Sequence, residues 1–191
     1  KVRLRKLIAA SSMSIYGEGA YRCKKCGGVE CGLRPEGQLI KRDWEMRCPN
    51  CASGVEPAPT KETKALSAQS VYGITKKDQE ELCLVVGRSY KIPTVALRFF
   101  NVYGPRQSLS NPYTGVAAIF SSMIKNNKDP IVYEDGNQSR DFINIRDIVR
   151  ANIFAMEKDG ADYETFNVGT GRATSVLDIA NILIKLYGKK L

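Results

Sequence analysis

The chain of 191 residues is 43% hydrophobic and 26% charged, values of an ordinary globular core, which exclude a disordered or low-complexity protein. No apolar run approaches the length of a membrane span, and the apolar stretch near the start is too short for a signal peptide and lacks a small-residue cleavage site, so a soluble cytoplasmic protein is expected. The formal charge of +9 points to anionic partners without choosing among nucleic acid, a membrane surface and diphosphate-bearing small molecules, and the absence of histidine leaves acid–base chemistry to Tyr, Lys, Asp, Glu or Cys.

Val2 to Ala10 is basic and then apolar, and it runs into Ser11-Ser12-Met13-Ser14-Ile15-Tyr16-Gly17. The pattern predicts a buried strand ending in a serine-rich loop. From Tyr21 to about Thr63 the composition shifts to five cysteines with glycines, prolines and scattered charge, the mark of an inserted module or a long loop that something must pin. Helical spacing over Ser70–Tyr90 puts Leu82, Val85 and Val86 on one side. Pro93–Phe100 is rich in β-branched and aromatic residues and predicts a buried strand, closed by the loop Asn101-Val102-Tyr103-Gly104-Pro105. A helix is expected over Val116–Asn126, a short strand over Pro130–Tyr133, a helix over Ile148–Lys158, a strand over Thr165–Val168 and a helix over Ser175–Tyr187. This alternation predicts an α/β fold with a largely parallel sheet.

Tyr72 and Lys76 stand four residues apart on the predicted helix, so both project from one face. A positive charge beside a tyrosine favours the phenolate, which makes Tyr72 a candidate general base. The spacing alone equally describes a surface pair. Its context is more specific: Ser-Ser-Met-Ser-Ile-Tyr-Gly upstream, Leu-Arg-Phe-Phe-Asn-Val-Tyr-Gly-Pro-Arg downstream, then Asp-Gly-Asn-Gln-Ser-Arg-Asp-Phe-Ile and Phe-Asn-Val-Gly-Thr-Gly. In this order the four segments resemble the extended short-chain dehydrogenase/reductase family, in particular its NAD-dependent nucleotide-sugar epimerases and dehydratases.

The resemblance implies a Rossmann-like doubly wound parallel sheet, with NAD and a nucleotide-diphosphate sugar as ligands and a second copy of the chain as partner. It implies Ser12 as the catalytic serine, Tyr72 as the base and Lys76 as the residue holding the nicotinamide ribose, with Ser11 and Phe100 beside the cofactor. Asn101 and Arg140 would meet the substrate diphosphate, Arg106 the sugar or phosphates, and Tyr133 the nucleotide base. A surface role is the alternative for Arg106, and a core role for Phe100 and Tyr133. Gly169 and Gly171 lack the third glycine and the early βαβ context of a dinucleotide fingerprint and are expected to serve turns. Related dehydratases carry an acid directly after the catalytic Ser or Thr; Met13 and Ser14 stand there here, which favours C4 epimerisation over a 4,6-dehydratase or reductase.

Cys23-Lys-Lys-Cys26 and Cys48-Pro-Asn-Cys51 are two C-x-x-C pairs separated by 21 residues, the pattern of a zinc ribbon. Four thiolates close a tetrahedral shell and leave no open position, so the expected zinc is structural. Disulfides or a redox pair are the alternatives. Cys31 is a possible substitute ligand, and Cys83 is expected to be a buried thiol on the helix. A cysteine-rich insert at this point also resembles bacterial dTDP-L-rhamnose 4-epimerases. It lengthens the connection between Ser12 and Tyr72 to 59 residues and belongs near the rim of the site.

The expected division is residues 1–20 with 64–115 as the C-terminal half of an NAD-binding domain, 21–63 as the ribbon, and 116–191 as part of the sugar-nucleotide region with returning Rossmann segments. The glycine-rich strand–turn–helix that opens such domains is absent, so an internal piece of a longer protein is expected. A zinc-dependent binding module without catalysis, for nucleic acid or protein, is the alternative of a different class; Lys24, Lys25, Arg34, Lys41 and Arg42 give the insert its basic cast. Nucleic acid is the disfavoured partner, because solvated ribbon surfaces are commonly basic.

Overall fold

The computed structural model describes residues 4–109 and 115–189; residues 2 and 3 of the expected opening strand lie outside them. Strand β1 (Leu7–Ser12) is followed by a 3-10 turn over Met13–Tyr16. The cysteine-rich stretch then builds a small antiparallel sheet from β2 (Ala20–Cys23), β3 (Gly27–Val29) and β4 (Glu56–Ala58), in the order β3-β2-β4, with a short helix α1 (Glu36–Ile40) between β3 and β4. It has its own core of Cys23, Val29, Met46, Cys48 and Val55. It is therefore a folded module. Strands of three or four residues are too short to be seen as alternation in the sequence.

The chain continues through α2 (Val71–Ser89), β5 (Thr94–Phe99), β6 (Asn101–Tyr103), α3 (Val116–Lys125), β7 (Ser139–Arg140), β8 (Phe142–Asn144), α4 (Ile145–Glu157), β9 (Thr165–Val168), β10 (Thr174–Ser175) and α5 (Val176–Leu186). Strands β1, β5 and β9 pair in parallel in that order. One face buries Val95, Leu97 and Val168 against Ile148 and Ala155 of α4; the other packs Ala9 and Ala96 against Leu84 of α2. Coverage on both faces is why Val95–Leu97 reads as a continuous apolar run instead of an alternating one. A separate cluster joins α3 and α5 through Phe120, Ile124, Val176 and Ala180.

Two expectations need correction. Pro130–Tyr133 is not a strand: Val132 leans on the α3–α5 cluster while Ile131 and Tyr133 are exposed, so its β-branched residues pack on helices without a strand edge to pair with. In its place, the loop after β5 forms β6, paired in parallel with β8. The apolar side of α2 also faces outward. Leu82, Val85 and Val86 are exposed, and the buried side carries Gly73, Glu80, Leu84 and Gly87.

Candidate active site

Ser12 ends β1 and is paired with Phe99, which is paired with Val168, so the C-terminal ends of three parallel strands lie side by side. That edge is where open α/β sheets bind ligands. Ser12 is buried; its hydroxyl donates to Ser14 Oγ at 3.2 Å and accepts from the Ser14 amide at 3.2 Å, capping the 3-10 turn.

Helix α2 begins against this turn. Ser70 caps it by accepting from the Gly73 amide at 3.0 Å. A Cβ on Gly73 would lie 2.7 Å from the Ser14 carbonyl oxygen, so only glycine lets the first turn of α2 come this close to the serine loop. Tyr72 precedes that contact and is exposed. One turn on, Lys76 Nζ donates to the Ala10 carbonyl at 2.8 Å and to Gln79 Oε1 at 3.0 Å, which anchors it to β1 two residues before Ser12. Ser11 Oγ is buried with no hydrogen-bond partner among the described residues, and so is Asn101 Oδ1.

A buried network ties these elements together. Arg98 of β5 donates through Nε to both carboxylate oxygens of Glu80 on α2, at 3.2 and 3.0 Å, and through Nη1 to Tyr16 Oη at 2.6 Å and the Glu62 carbonyl at 3.0 Å. The Tyr16 hydroxyl donates in turn to Asn167 Oδ1 at 2.8 Å. Burial pushes the Tyr16 phenol upward against the lowering effect of Arg98, so it stays protonated and serves as donor and acceptor at once. Burial disfavours the Arg98 cation, yet Glu80 and Tyr16 outweigh it and raise its pKa. The Asn167 amide groups also hold the exit of the cysteine module, with Nδ2 donating to the Thr60 carbonyl at 2.8 Å and N to Glu62 Oε1 at 2.9 Å.

A cleft of about 650 Å³ opens between the module and the sheet edge. It reaches Ser14 and Ser70, each two residues from Ser12 and Tyr72, and is lined by Phe100, Arg140 and Arg172 on one side and by Leu33, Arg34, Trp44 and Met46 of the module on the other. Asp141 shapes its floor. Its carboxylate accepts from the Thr170 amide at 2.8 Å, the Thr170 hydroxyl at 2.6 Å and the Gly171 amide at 2.8 Å, and a Cβ on Gly169 would lie 2.6 Å from Asp141 Oδ2. The two glycines thus serve a turn, as expected: Gly171 has φ +74° and Gly169 permits close approach.

The expected residues do not all converge. Phe100 and Arg140 share this cleft, whereas Arg106, with φ 66°, lines a second one near α3 and α5, and Tyr133 is exposed and lines neither. Arg172, Trp44, Asp141 and the Arg98 network were not singled out from sequence. The visible signals were an arginine inside an otherwise apolar strand segment and a sole tryptophan within the insert.

Within the module the sulfurs of Cys23, Cys26, Cys48 and Cys51 all lie within 4.8 Å of one another, with Cys23 and Cys51 at 3.6 Å. Tetrahedral coordination with Zn–S bonds near 2.3 Å requires sulfurs about 3.8 Å apart, so the set fits a metal. Bonding from Ser53 holds the Cys51 thiol down to about 6, while the hydrogen bond with Cys51 pushes Cys26 up to about 12. Binding a cation would require all four thiols to give up their protons, so metal loading of such a set releases protons and is pH-dependent. Cys31 stands outside the set, directing its thiol to the Arg47 carbonyl at 3.6 Å, and Cys83 is half-buried beside Leu84, Ala9 and Ala96.

Residues 49–169 match the NAD dependent epimerase/dehydratase family. Among curated proteins, a dTDP-L-rhamnose 4-epimerase from Burkholderia thailandensis is 37% identical over 98% of this chain and 50% of its own length. A UDP-glucose 4-epimerase from Thermotoga maritima, solved with UDP-glucose, superposes with a TM-score of 0.74 at 30% identity, over 98% of this chain and 48% of that one. A UDP-N-acetylglucosamine 4-epimerase from Methanobrevibacter ruminantium gives 0.73 at 30% identity, over 97% and 48%. The chain thus spans about half the length of the relatives it matches. No helix among the described residues is long and apolar enough to cross a membrane. On the family match and the parallel, Rossmann-like sheet, the chain belongs to the NAD dependent epimerase/dehydratase family.

Proposed function

We propose that this chain carries the catalytic residues of an NAD-dependent nucleotide-sugar 4-epimerase, with Ser12, Tyr72 and Lys76 as its working set. The observation behind this reading is the meeting of β1 and α2: a buried serine and a Tyr/Lys helix face at the C-terminal edge of a parallel sheet, beside a cleft that holds Arg140 and Arg172. Tyr72 takes the proton from the sugar 4-hydroxyl and returns it after the ring has turned. Ser12, turning its one hydroxyl proton away from Ser14 Oγ, donates a hydrogen bond to the same oxygen, whose charge changes during reaction. The Lys76 ammonium spends two of its donors on Ala10 and Gln79, which leaves one for a ribose hydroxyl. The unpartnered Ser11 Oγ suits a polar cofactor group. NAD, when bound, would accept a hydride from C4 and return it to the opposite face. Asn101 and Arg140 engage the diphosphate, with bidentate guanidinium geometry suited to the task.

Several finer points belong to the same proposal. Cys23, Cys26, Cys48 and Cys51 hold a structural zinc in a closed ribbon, which suits a cytoplasmic protein whose thiols stay reduced. Residues 1–20 with 64–115, 21–63 and 116–191 act as cofactor half, ribbon and sugar-nucleotide region. The exposed stripe Val71, Ile74, Leu82, Val85 and Val86 on α2 supports pairing with a second copy. The absence of an acid at Met13 and Ser14 favours epimerisation over dehydration. The test is incubation of the protein with NAD and UDP-, dTDP- and GDP-sugars, with C4 followed by NMR. Interconversion of C4 epimers is expected; release of a 4-keto-6-deoxy sugar would mean a dehydratase instead.

A further inference from the structure

The cysteine module is packed against the candidate site through a contact that bridges 100 residues of sequence. Arg34, in the module, donates through Nη1 to Glu134 Oε2 and through Nη2 to Glu134 Oε1, both at 2.9 Å. The two side chains are only 26% and 27% exposed, and burial disfavours the cation less than the carboxylate stabilises it, so Arg34 is held firmly charged. Glu134 reaches this position from a left-handed backbone, φ 57°, in the turn that leads to Arg140. Paired, fork-to-fork geometry is the strongest form of such a contact.

The same guanidinium also fixes the wall of the cleft. Arg34 Nη1 donates to the Trp44 carbonyl at 2.8 Å, and Gln38 Nε2 donates to the carbonyls of Asp43 at 2.9 Å and Glu45 at 2.6 Å. Three successive carbonyls are thus tied down around Trp44, whose side chain is half-buried and lines the cleft opposite Phe100 and Arg140. An aromatic side chain on a backbone held this way is already in its binding position and loses little freedom when a ligand arrives.

On the nucleotide-sugar reading above, we infer that the module is the substrate-selecting wall of the cleft, with Trp44 contacting the bound nucleotide sugar and the Arg34–Glu134 pair latching that wall to the Arg140 turn. Trp44 is a contact residue, and Arg34 and Glu134 are positioning residues. Neither takes part in proton transfer. Loss of the latch therefore changes binding and leaves the chemical step alone.

Trp44 is the sole tryptophan of the chain, so its fluorescence reports on this wall directly. The experiment titrates UDP-glucose and dTDP-L-rhamnose into the protein, reading binding by calorimetry and Trp44 emission in parallel. Emission is expected to shift with the same midpoint as the heat. Arg34→Glu and Glu134→Arg should each weaken binding about fivefold, the scale of a partly exposed pair, and the double exchange should recover part of it, because a carboxylate at position 34 restores the ion pair but not the donor to the Trp44 carbonyl. In a turnover assay the single variants should raise KM with kcat nearly unchanged, and Trp44→Ala should alter the preference between the two sugars. Calorimetric binding with unmoved Trp44 emission would overturn the wall while leaving the nucleotide-sugar reading intact, and so would a double exchange as weak as the sum of its singles. Absence of calorimetric binding to either nucleotide sugar would remove the reading on which the inference rests.

Discussion

Replacing Glu80 by Gln removes the charge partner of Arg98 while keeping the size of the side chain. Glu80 is 2% and Arg98 5% exposed, and three donor–acceptor contacts join them. Breaking a buried pair from one side costs about 3–5 kcal/mol, because the remaining charge stays out of water. Arg98 keeps Tyr16 Oη and the Glu62 carbonyl as acceptors, so the lower end applies: about 3 kcal/mol, or about 6–12 °C in Tm for a chain of this size. The surface pair Lys77–Glu81, with side chains 35% and 55% exposed, is the internal reference; Glu81→Gln should cost less than about 0.5 kcal/mol. Urea and thermal unfolding followed by circular dichroism give both values. Replacing the pair together, Glu80→Leu with Arg98→Met, should recover part of the loss, since two apolar groups leave no buried charge. A loss below about 1 kcal/mol for Glu80→Gln, or equal losses at Glu80 and Glu81, would refute the view that this network holds α2, β5 and the serine loop in one arrangement.

Gly73→Ala should lower kcat by at least about tenfold with the far-ultraviolet spectrum unchanged, although alanine is the better helix former by about 1 kcal/mol, because the new methyl meets the Ser14 carbonyl at 2.7 Å and pushes the first turn of α2 away from the serine loop. Unchanged kcat would show that the close approach is not used. Metal analysis should find one zinc per chain, and Cys48→Ser with Cys51→Ser should release it and raise hydrogen exchange in β2–β4 while the centre of α2 stays protected. Retention of zinc by the double variant would exclude the four-cysteine set as its ligands.

The parts of the fold that were legible from sequence are those with long, single-purpose patterns. Pro93–Phe100 reads as a strand because both faces are buried, and Ser70–Tyr90 as a helix because its spacing persists for five turns; the structure adds that Ser70 caps it. The four cysteines were legible as a set because their paired spacing is local, and the structure brings their sulfurs within 4.8 Å of one another, whereas Tyr72 and Lys76 were singled out by resemblance, their spacing alone describing a surface pair equally well. What was not legible depends on partners distant in the chain. Arg98 stands out inside an apolar strand, but its partners Glu80 and Tyr16 are brought to it only by the fold, and nothing near Arg34 announces Glu134. Pro130–Tyr133 misled for the opposite reason: its residues favour strands, but its neighbours are helices. Arg106 and Tyr133 were grouped with Arg140 on resemblance; Arg106 lines the second cleft instead, and Tyr133 is exposed beside Glu134 without lining the first.

The most direct measurement of the central claim is C4 inversion of a nucleotide sugar by the protein with Tyr72→Phe, followed by NMR in the presence of NAD beside the unaltered protein. Loss of the phenol should abolish interconversion while calorimetry still detects nucleotide-sugar binding at nearly the original affinity. Turnover at the original rate by Tyr72→Phe would contradict the assignment of Tyr72 as the base and, with it, the account of how Ser12, Tyr72 and Lys76 work together.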